Sequence, residues 1–317
     1  MTRPDPAVST ARVPGPPSRR TGTSSRADLV DPVVRAAGSA ADAAGRAAGV
    51  EVREVSDLAG LREVCQLVDG IWRPDPTDPP ITVNLLRALT KAGNYVAGAY
   101  DGGRLVGTCM AFFGPPERRT MHSHIAGVSG AVQGRRVGFA LKLHQRAWAL
   151  HRGVSTIAWT FDPLVCRNAY FNLVKLAAVP AQYLPNVYGP MNDGINGDDD
   201  TDRLLLRWDL AAPAVVAACA GSVAAADAEA ERNRGAVVAL DRSPRDQPLT
   251  RAVDGDVLLV AVPPDITALR RADPATARRW RVALRDVLAP LLTQGARVTG
   301  FDRSGWYVVN RTAARES

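Results

Sequence analysis

The chain has 317 residues, of which 46% are hydrophobic and 22% charged, a composition typical of a globular protein with one large or two ordinary domains. No apolar run reaches membrane-spanning length and the N-terminus lacks the apolar core of a signal peptide, so we expect no membrane partner. The net charge of +7 does not predict a nucleic-acid partner, because only three of the 39 basic residues are lysine and no basic run is interleaved with aromatic residues.

Cysteine usage indicates the compartment. Cys65, Cys109, Cys166 and Cys219 are scattered along the chain, and none of them belongs to a CxxC motif. We therefore expect free thiols in a reducing cytoplasm, without structural disulfides.

The N-terminal residues 1–49 differ in composition from the rest. Residues 1 to about 25 are rich in Pro, Ser, Thr and Arg and offer almost nothing to bury, which predicts disorder. The alanine-rich segment Asp28–Ala48 can form a helix, and a docked helix and a marginal one remain equal alternatives.

From residue 50 the pattern alternates strands and helices. Apolar residues at spacings of three and four between Leu58 and Trp72 predict one helical face, and Asp101-Gly102-Gly103 predicts a hairpin turn. The predicted elements are a strand at Glu51–Val55, helices at Leu58–Trp72 and Thr82–Lys91, and paired strands at Tyr95–Tyr100 and Leu105–Phe113.

The central stretch Met121–Arg152 predicts a strand, a turn and a helix. Met121–Val132 is small, apolar and uncharged, as in a buried strand. The turn Gln133–Gly138 follows, and then a helix that Gly153 ends. Apolar residues recur at helical spacing in it, with polar ones between: Phe139, Leu143, Ala147 and Leu150, separated by Lys142, Gln145 and Arg146. Free N–H groups at the start of this helix would form an anion site.

The remaining segments complete an α/β pattern. Asp162 and Pro163 predict the N-cap and first residue of a helix. The elements expected are a strand at Val154–Phe161, a helix at Leu164–Ala177, strands at Tyr183–Tyr188 and Leu204–Asp209, a helical connector at Ala211–Arg234, a strand at Val257–Val262, a helix from Asp273 to Gly295 kinked at Pro290, and a hairpin of Val298–Phe301 and Trp306–Val309. The predicted domains are residues 50–210, a connector at 211–235, and a smaller α/β lobe at 236–317.

The turn resembles motif A of the GNAT acyl-CoA N-acyltransferases, Gln/Arg-x-x-Gly-x-Gly/Ala. One register runs Arg135-x-x-Gly138-x-Ala140. The other runs from Gln133 to Gly138 and places Arg136 where the family usually has its middle glycine. The order of strands and helices is also similar to the GNAT fold, a mixed central sheet flanked by helices. The resemblance implies acetyl-CoA or another acyl-CoA as co-substrate, bound by Val128, Gln133, Gly134, Arg135, Arg136, Val137, Gly138 and Phe139.

A second resemblance lies in the helix after the fifth strand. Family members often carry an early Asn that bonds the pantetheine arm, and Asn168 matches it. The later Tyr that protonates the leaving thiolate falls near Leu173, so Tyr170, Tyr183, Tyr188 or water would replace it. The phrases WTFDPL, NAYFN, YLPNVYG and TDRLLLRW resemble a bacterial subgroup of long predicted acetyltransferases, some of which are amino-acid N-succinyltransferases.

Three residues are candidates for the general base. His122 and His124 lie two apart on the central strand and so face the same way, and His122 falls near the position of a catalytic glutamate in histone-type GNAT enzymes. The alternative is a pair of core or cleft histidines bonded to neighbours. In the GNAT fold two parallel strands splay apart and the thioester lies in the gap between them. The resemblance implies that Asp162, at the end of the fifth strand, faces the acceptor side of this gap, unless it is a plain helix N-cap. No third ligand accompanies the two histidines, so no metal site is predicted.

Three residues are candidates for binding the acceptor. Asn186, Tyr188 and Arg203 lie in segments that would flank it in the subgroup, and an arginine there can hold a substrate carboxylate. The alternative for Arg203 is a salt bridge with Asp202 or a neighbouring carboxylate. The run Asp198-Asp199-Asp200 lacks the pattern of a calcium loop and is interpreted as solvated.

These observations predict transfer of an acetyl or succinyl group from acyl-CoA to the amine of a small molecule, with amino acids as candidates. The alternative is a GNAT-fold protein that binds acyl-CoA without turnover, which the displaced glycine and the missing tyrosine favour. The sequence leaves the acyl group, the acceptor and the choice between monomer and homodimer open.

Overall fold

The structure is a computed structural model that describes residues 31–189, 191 and 199–311. The disorder predicted for residues 1 to about 25 lies outside the described residues. From Pro32 onward the described residues belong to one compact unit. Within the described part of the chain, no helix is both long and apolar enough to cross a membrane.

The first half of the chain builds a seven-stranded sheet with the strand order β1-β2-β3-β4-β5-β7-β6. Its elements are α1 (Pro32–Ala48), β1 (Glu51–Glu54), α2 (Leu58–Trp72), α3 (Val83–Lys91), β2 (Tyr95–Asp101), β3 (Arg104–Phe113), β4 (Thr120–Val128), α4 (Val137–His151), β5 (Thr156–Phe161), α5 (Cys166–Ala169), which continues as a π-helical turn over Tyr170–Lys175, β6 (Val179–Leu184) and β7 (Arg203–Asp209).

The parallel strands β4 and β5 pair only at their beginnings. Thr120, Met121 and His122 are opposite Thr156, Ile157 and Ala158, and no further β4–β5 pairing follows among the described residues. Beyond His122, β4 remains paired with β3, while β5 pairs along its length with β7. A cleft therefore opens between the two strands towards their carboxyl ends.

A β-bulge in β4 lies at the root of this cleft. Met110 pairs with Ile125 and Ala111 with Ser123, which leaves His124 as the extra residue. A bulge shifts the alternation of side chains. Accordingly Met121 belongs to the core beneath α1 and α4, whereas Ile125 belongs to the separate core beneath α2 and α3. The sheet is thus covered on both faces.

Helix α4 is buried on more sides than its amphipathic pattern predicts. Small residues of α1 pack into the same core, so the N-terminal helix is docked and not marginal. The three polar residues that interrupt the apolar spacing of α4 are also buried: Lys142, Gln145 and Arg146. The guanidinium of Arg146 is satisfied by the carbonyl of Leu210, at 2.9 and 2.6 Å.

The C-terminal part forms a second sheet with the order β11-β12-β10-β8-β9. Its elements are α6 (Pro213–Cys219), α7 (Ala228–Asn233), β8 (Val237–Arg242), β9 (Pro248–Thr250), β10 (Val257–Ala261), α8 (Ile266–Ala272), α9 (Pro274–Thr293), β11 (Arg297–Asp302) and β12 (Trp306–Asn310). Helix α9 continues through Pro290 and packs against this sheet and against β6. The predicted α/β class, with a mixed central sheet and a C-terminal α/β lobe, is confirmed.

Two sequence predictions were wrong in detail. The strand expected at Tyr183–Tyr188 is β6, four residues earlier; it is an edge strand, where Pro180 is tolerated. The central strand ends at Val128, because a 3₁₀ turn occupies Gly130–Val132. The segment predicted as a helical connector does contain two short helices, α6 and α7. The elements β8, β9 and α8 were not predicted.

Candidate functional site

The turn before α4 carries two residues in the left-handed region. Gly134 has φ 84° and Arg136 has φ 64°, and α4 begins at Val137. Left-handed backbone costs a non-glycine residue about 1–2 kcal/mol, which explains a preference for glycine at the position of Arg136. This geometry favours the register from Gln133 to Gly138. The other register would put the middle glycine at Gly138, inside the helix.

The same turn presents free backbone donors. Among the backbone hydrogen bonds of the described residues, none is donated by the amides of Gly134, Arg136, Val137 or Gly138. They lie at the N-terminus of α4, where the helix dipole favours negative charge. A Cβ at Gly138 would meet only the Val128 side chain, at 3.7 Å, so the backbone here is open to a close approach. These free amides and the open space are what an anion site requires, and the anion site itself stays a prediction.

The two arginines of the turn differ. The guanidinium of Arg135 is held by Asp101 at 2.6 Å and by the carbonyls of Ala48 and Gly49, both at 3.3 Å, so it ties the turn to β2 and the end of α1. The side chain of Arg136 is exposed, as is that of Gln133, whereas Val137 is buried and Phe139 half-buried. Arg136 is therefore the guanidinium better placed to meet an anion.

At the cleft between β4 and β5, side chains point to the two opposite faces of the sheet. His122 and Ala158 are opposite each other on one face, and Thr160 lies two residues further along on that face. On the other face Ser123 and Trp159 point towards α4. Asn168 is exposed on α5, the helix that follows β5.

The two histidines lie side by side, as predicted from their spacing. Their ring centroids are 6.1 Å apart, and both rings approach Phe112, at 5.2 Å for His122 and 6.1 Å for His124. Burial lowers the pKa of both imidazoles, and the pKa of His122 is lowered further by the charges of His124 and Lys142. Both rings are therefore neutral at pH 7, which is the form that accepts a proton.

The predicted acceptor residues adjoin the histidine face. The hydroxyl of Tyr188 is 3.0 Å from that of Thr160, and the guanidinium of Arg203 lies 5.5 Å from the Tyr188 ring. Asn186 instead holds the backbone near Thr201 in place, because its side-chain amide oxygen accepts hydrogen bonds from the backbone amide and the hydroxyl of Thr201. The structure thus brings Tyr188 and Arg203 together beside the cleft and gives Asn186 a structural contact.

Arg203 contacts the backbone of Asp202 and not its carboxylate. It donates to the backbone carbonyl of Asp202 at 2.9 Å and is buried. The carboxylate of Asp202 is occupied by Arg285, by the hydroxyl of Tyr183 at 2.7 Å and by the amide of Asn186. Burial and the Asp202 carboxylate raise the pKa of Tyr183, which makes this tyrosine a poor candidate for the acid.

Asp162 is not a helix N-cap and is poorly suited to be a base. Helix α5 begins at Cys166 with Val165 as its N-cap. The buried carboxylate of Asp162 accepts from the amide of Leu164 and from Arg270 and Arg281 of the C-terminal lobe, at 2.7–3.0 Å. Although burial alone would raise it, the pKa of Asp162 is held far below its usual value by the two guanidinium groups. Both carboxylate oxygens of Asp162 therefore already accept hydrogen bonds that hold the fold together.

The aspartate run was also misinterpreted in part. Asp199 is buried and pairs with Arg270 at 2.9 Å and Arg281 at 3.1 Å, whereas Asp200, paired with Arg285, is exposed. Asp198 lies outside the described residues. The buried arginines come from α8 and α9, 71 and 82 residues after Asp199 and 108 and 119 residues after Asp162, and no local pattern in the sequence pairs them with either aspartate.

Comparison with known proteins bears on this region. Residues 61–169 match the model of the Acetyltransferase (GNAT) family. No curated protein matches the chain. Together with the observed strand order, the model match confirms the GNAT fold for the first half of the chain.

Similar solved structures cover about half of this chain. An N-acetyltransferase from Staphylococcus aureus is 14% identical over 51% of this chain and 98% of its own, with a TM-score of 0.40. The ribosomal-protein-S18-alanine N-acetyltransferase from Escherichia coli is 12% identical over 51% and 95%, with a TM-score of 0.41. A Salmonella typhimurium protein solved with its cofactor acetyl-CoA is 16% identical over 52% and 98%, also with a TM-score of 0.41.

Proposed function

We propose that this chain transfers an acyl group from acyl-CoA to the amine of a small molecule. One observation carries the proposal: a turn of free amides at the start of α4 and a cleft between two parallel strands occur together, inside the segment that matches the GNAT family model. The turn suits a pyrophosphate, and the cleft suits an extended arm that ends in a thioester.

The residues of the chain have distinct tasks in this proposal. The amides of the turn and the exposed guanidinium of Arg136 bind phosphate oxygens. Asn168 bonds the pantetheine arm beside the cleft. Acyl-CoA supplies the activated carbonyl, and a β4 amide near Val128 donates to its oxygen.

The acceptor amine must lose a proton before it attacks. For an amine of pKa about 10.4, deprotonation at pH 7 costs about 4.6 kcal/mol, from about 1.36 kcal/mol per pH unit; for an α-amine of pKa about 8 the cost is about 1.4 kcal/mol. His122 and His124 take this proton in the proposal. Their position on the acceptor face and their lowered pKa values support the role.

The acceptor is proposed to be a small amine that carries a carboxylate, such as an amino acid, in the cytoplasm. Arg203 lies beside Tyr188 and Thr160, next to the histidine face of the cleft. A hydrogen bond to a charged group is worth about 1.5–3 kcal/mol, enough to prefer an amino acid over the corresponding plain amine by about tenfold or more. Acetyl and succinyl groups remain the two candidates for the acyl donor.

Mass spectrometry tests the proposal. The protein is incubated with mixed acyl-CoAs and an amino-acid pool, and new N-acyl products are sought by their mass. We expect an N-acetyl or N-succinyl amino acid that forms only with protein and the matching acyl-CoA. Tight binding of acyl-CoA without any product would favour the alternative, a non-catalytic acyl-CoA-binding protein.

A further inference from the structure

Helix α4 carries a buried lysine to which the proposed function gives no role. Lys142 is only 4% exposed. Its ammonium donates to the amide oxygen of Gln145 at 2.7 Å and to the hydroxyl of Ser123 at 3.3 Å. It also lies 3.8 Å from the ring centroid of Trp159 and 5.4 Å from that of Trp208. Every one of these partners is uncharged.

The place of this ammonium in the sheet is specific. The last paired residues of β4 and β5 are His122 and Ala158. The next residue of β4 is Ser123 and the next residue of β5 is Trp159, and both are the contacts of Lys142. The ammonium therefore spans the two strands at the first position where their hydrogen-bond ladder is missing. His122 lies on the opposite face of the sheet at the same point.

The surroundings make this charge costly. On its own face of the sheet Lys142 is surrounded by the thiol of Cys109 from β3, the hydroxyl of Ser123 from β4, Gln145 from α4 itself and the indoles of β5 and β7. His122 lies across the sheet, where the charge of Lys142 lowers its pKa. Among the described residues no carboxylate forms an ion pair with Lys142. A buried charge without an opposite charge is destabilising, and an apolar residue would serve packing alone better. Burial lowers the pKa of Lys142 to about 8, so the amine is charged at neutral pH.

We propose that Lys142 is a positioning residue for acyl transfer, whose ammonium joins β4 to β5 at the root of the cleft and sets the separation of the two strands there. The inference rests on the proposed function, because that function places the thioester in this cleft. The cation–π contact with Trp159 exists only while the amine is protonated. Strand separation at the root therefore depends on pH, and the rate falls as the pH rises through the pKa of Lys142.

Two uncharged variants test the role. Lys142→Met fills the same volume, and Lys142→Gln keeps a donor for the buried oxygen of Gln145. In both we expect kcat to fall about 10- to 100-fold, since a displacement of about 1 Å in a reacting group costs up to about 100-fold. CoA affinity stays within about twofold of wild type, because the amides of the turn are unchanged. Lys91→Met, at the exposed end of α3, is the matched control and keeps wild-type kcat.

The pH profile separates positioning from simple packing. With saturating acyl-CoA and acceptor, wild-type kcat should fall above about pH 8, as Lys142 loses its proton. Both variants should lack this alkaline fall. Variants with wild-type kcat and a wild-type profile would overturn the inference and leave the proposed function intact. A wild type that transfers no acyl group would refute the proposed function, and the inference with it.

An NMR titration gives a readout that does not require an active or a stable variant. The chain has three lysines, so the spectrum of ¹³C-labelled lysine is simple to assign. We expect the Lys142 signal to titrate near pH 8 and to shift on addition of a non-reactive acyl-CoA thioether, while the Lys91 signal does not respond to the thioether. A Lys142 signal that does not shift when the thioether is added would overturn the inference.

Discussion

Asp162 provides a sharp test, because the sequence makes it a candidate base and the structure makes it a buried ion-pair partner. Its carboxylate is 8% exposed and accepts four hydrogen bonds, three of them from Arg270 and Arg281. Asp162→Ala still leaves both arginines the carboxylate of Asp199 as a partner. Removing one partner of a buried pair costs about 3–5 kcal/mol, and the remaining carboxylate places the expected loss near about 3 kcal/mol.

Urea unfolding at pH 7, followed by tryptophan fluorescence, measures this loss. Asp200→Ala is the matched control. Its carboxylate pairs with Arg285 on α9, the helix that also carries Arg281, but is 48% exposed. An exposed pair contributes about 0–1 kcal/mol, so the control should stay close to wild type. If Asp162→Ala matched wild type in stability within about 1 kcal/mol yet lost kcat and the acid limb of its pH profile, Asp162 would be the base and the structural argument would be wrong.

The same carboxylate sets a pH dependence of stability. Its pKa is held far below its usual value of 3.8, so in the folded protein it remains ionised where the unfolded chain is protonated. The stabilisation is complete above about pH 4 and declines as the pH falls towards the folded pKa. In Asp162→Ala the free energy of unfolding should decline less steeply over this acid range.

Two further predictions concern the reaction. The double variant His122→Ala with His124→Ala should lose about 10²–10⁴-fold in kcat/KM at neutral pH. Relative to wild type at the same pH, it should recover in part at alkaline pH, where the amine is already neutral; wild-type activity should fall below a pKa that is itself lower than 6.5. A double variant with the wild-type pH–rate profile would show that both are structural. Arg203→Met should reduce the preference for an amino acid over its decarboxylated amine by about tenfold or more, measured as the ratio of kcat/KM values. A wild type that prefers the decarboxylated amine would contradict the carboxylate hypothesis.

Local periodicity was sufficient to predict the elements that have one face in the core and the other in solvent. The face of α2 from Leu58 to Trp72, the hairpin at Asp101 and the start of α9 at Asp273 all follow from patterns within a few residues. The turn at Gln133–Gly138 was also predictable, because glycine, a helix start and a preceding strand define it.

The features that the sequence patterns did not predict depend on tertiary contacts. Lys142 was expected among the polar residues of an amphipathic helix, but it faces the sheet and is buried against Ser123 and Trp159. Asp162 had the sequence of an N-cap, yet its partners Arg270 and Arg281 lie over 100 residues away. The division of the chain at residues 211–235 stays a prediction.

The most direct test of the account is the affinity of the turn for CoA. Gly138→Glu would place a carboxylate among the free amides, and the open space around Gly138 lets the fold accept it. Two like charges about 4 Å apart near a surface repel by about 4 kcal/mol, and every 1.4 kcal/mol is about tenfold in Kd. Calorimetric titration with CoA should therefore show binding at least about 100-fold weaker than in wild type, and wild-type binding in the control Gly70→Glu on α2. Equal CoA affinity in wild type and Gly138→Glu would contradict the account.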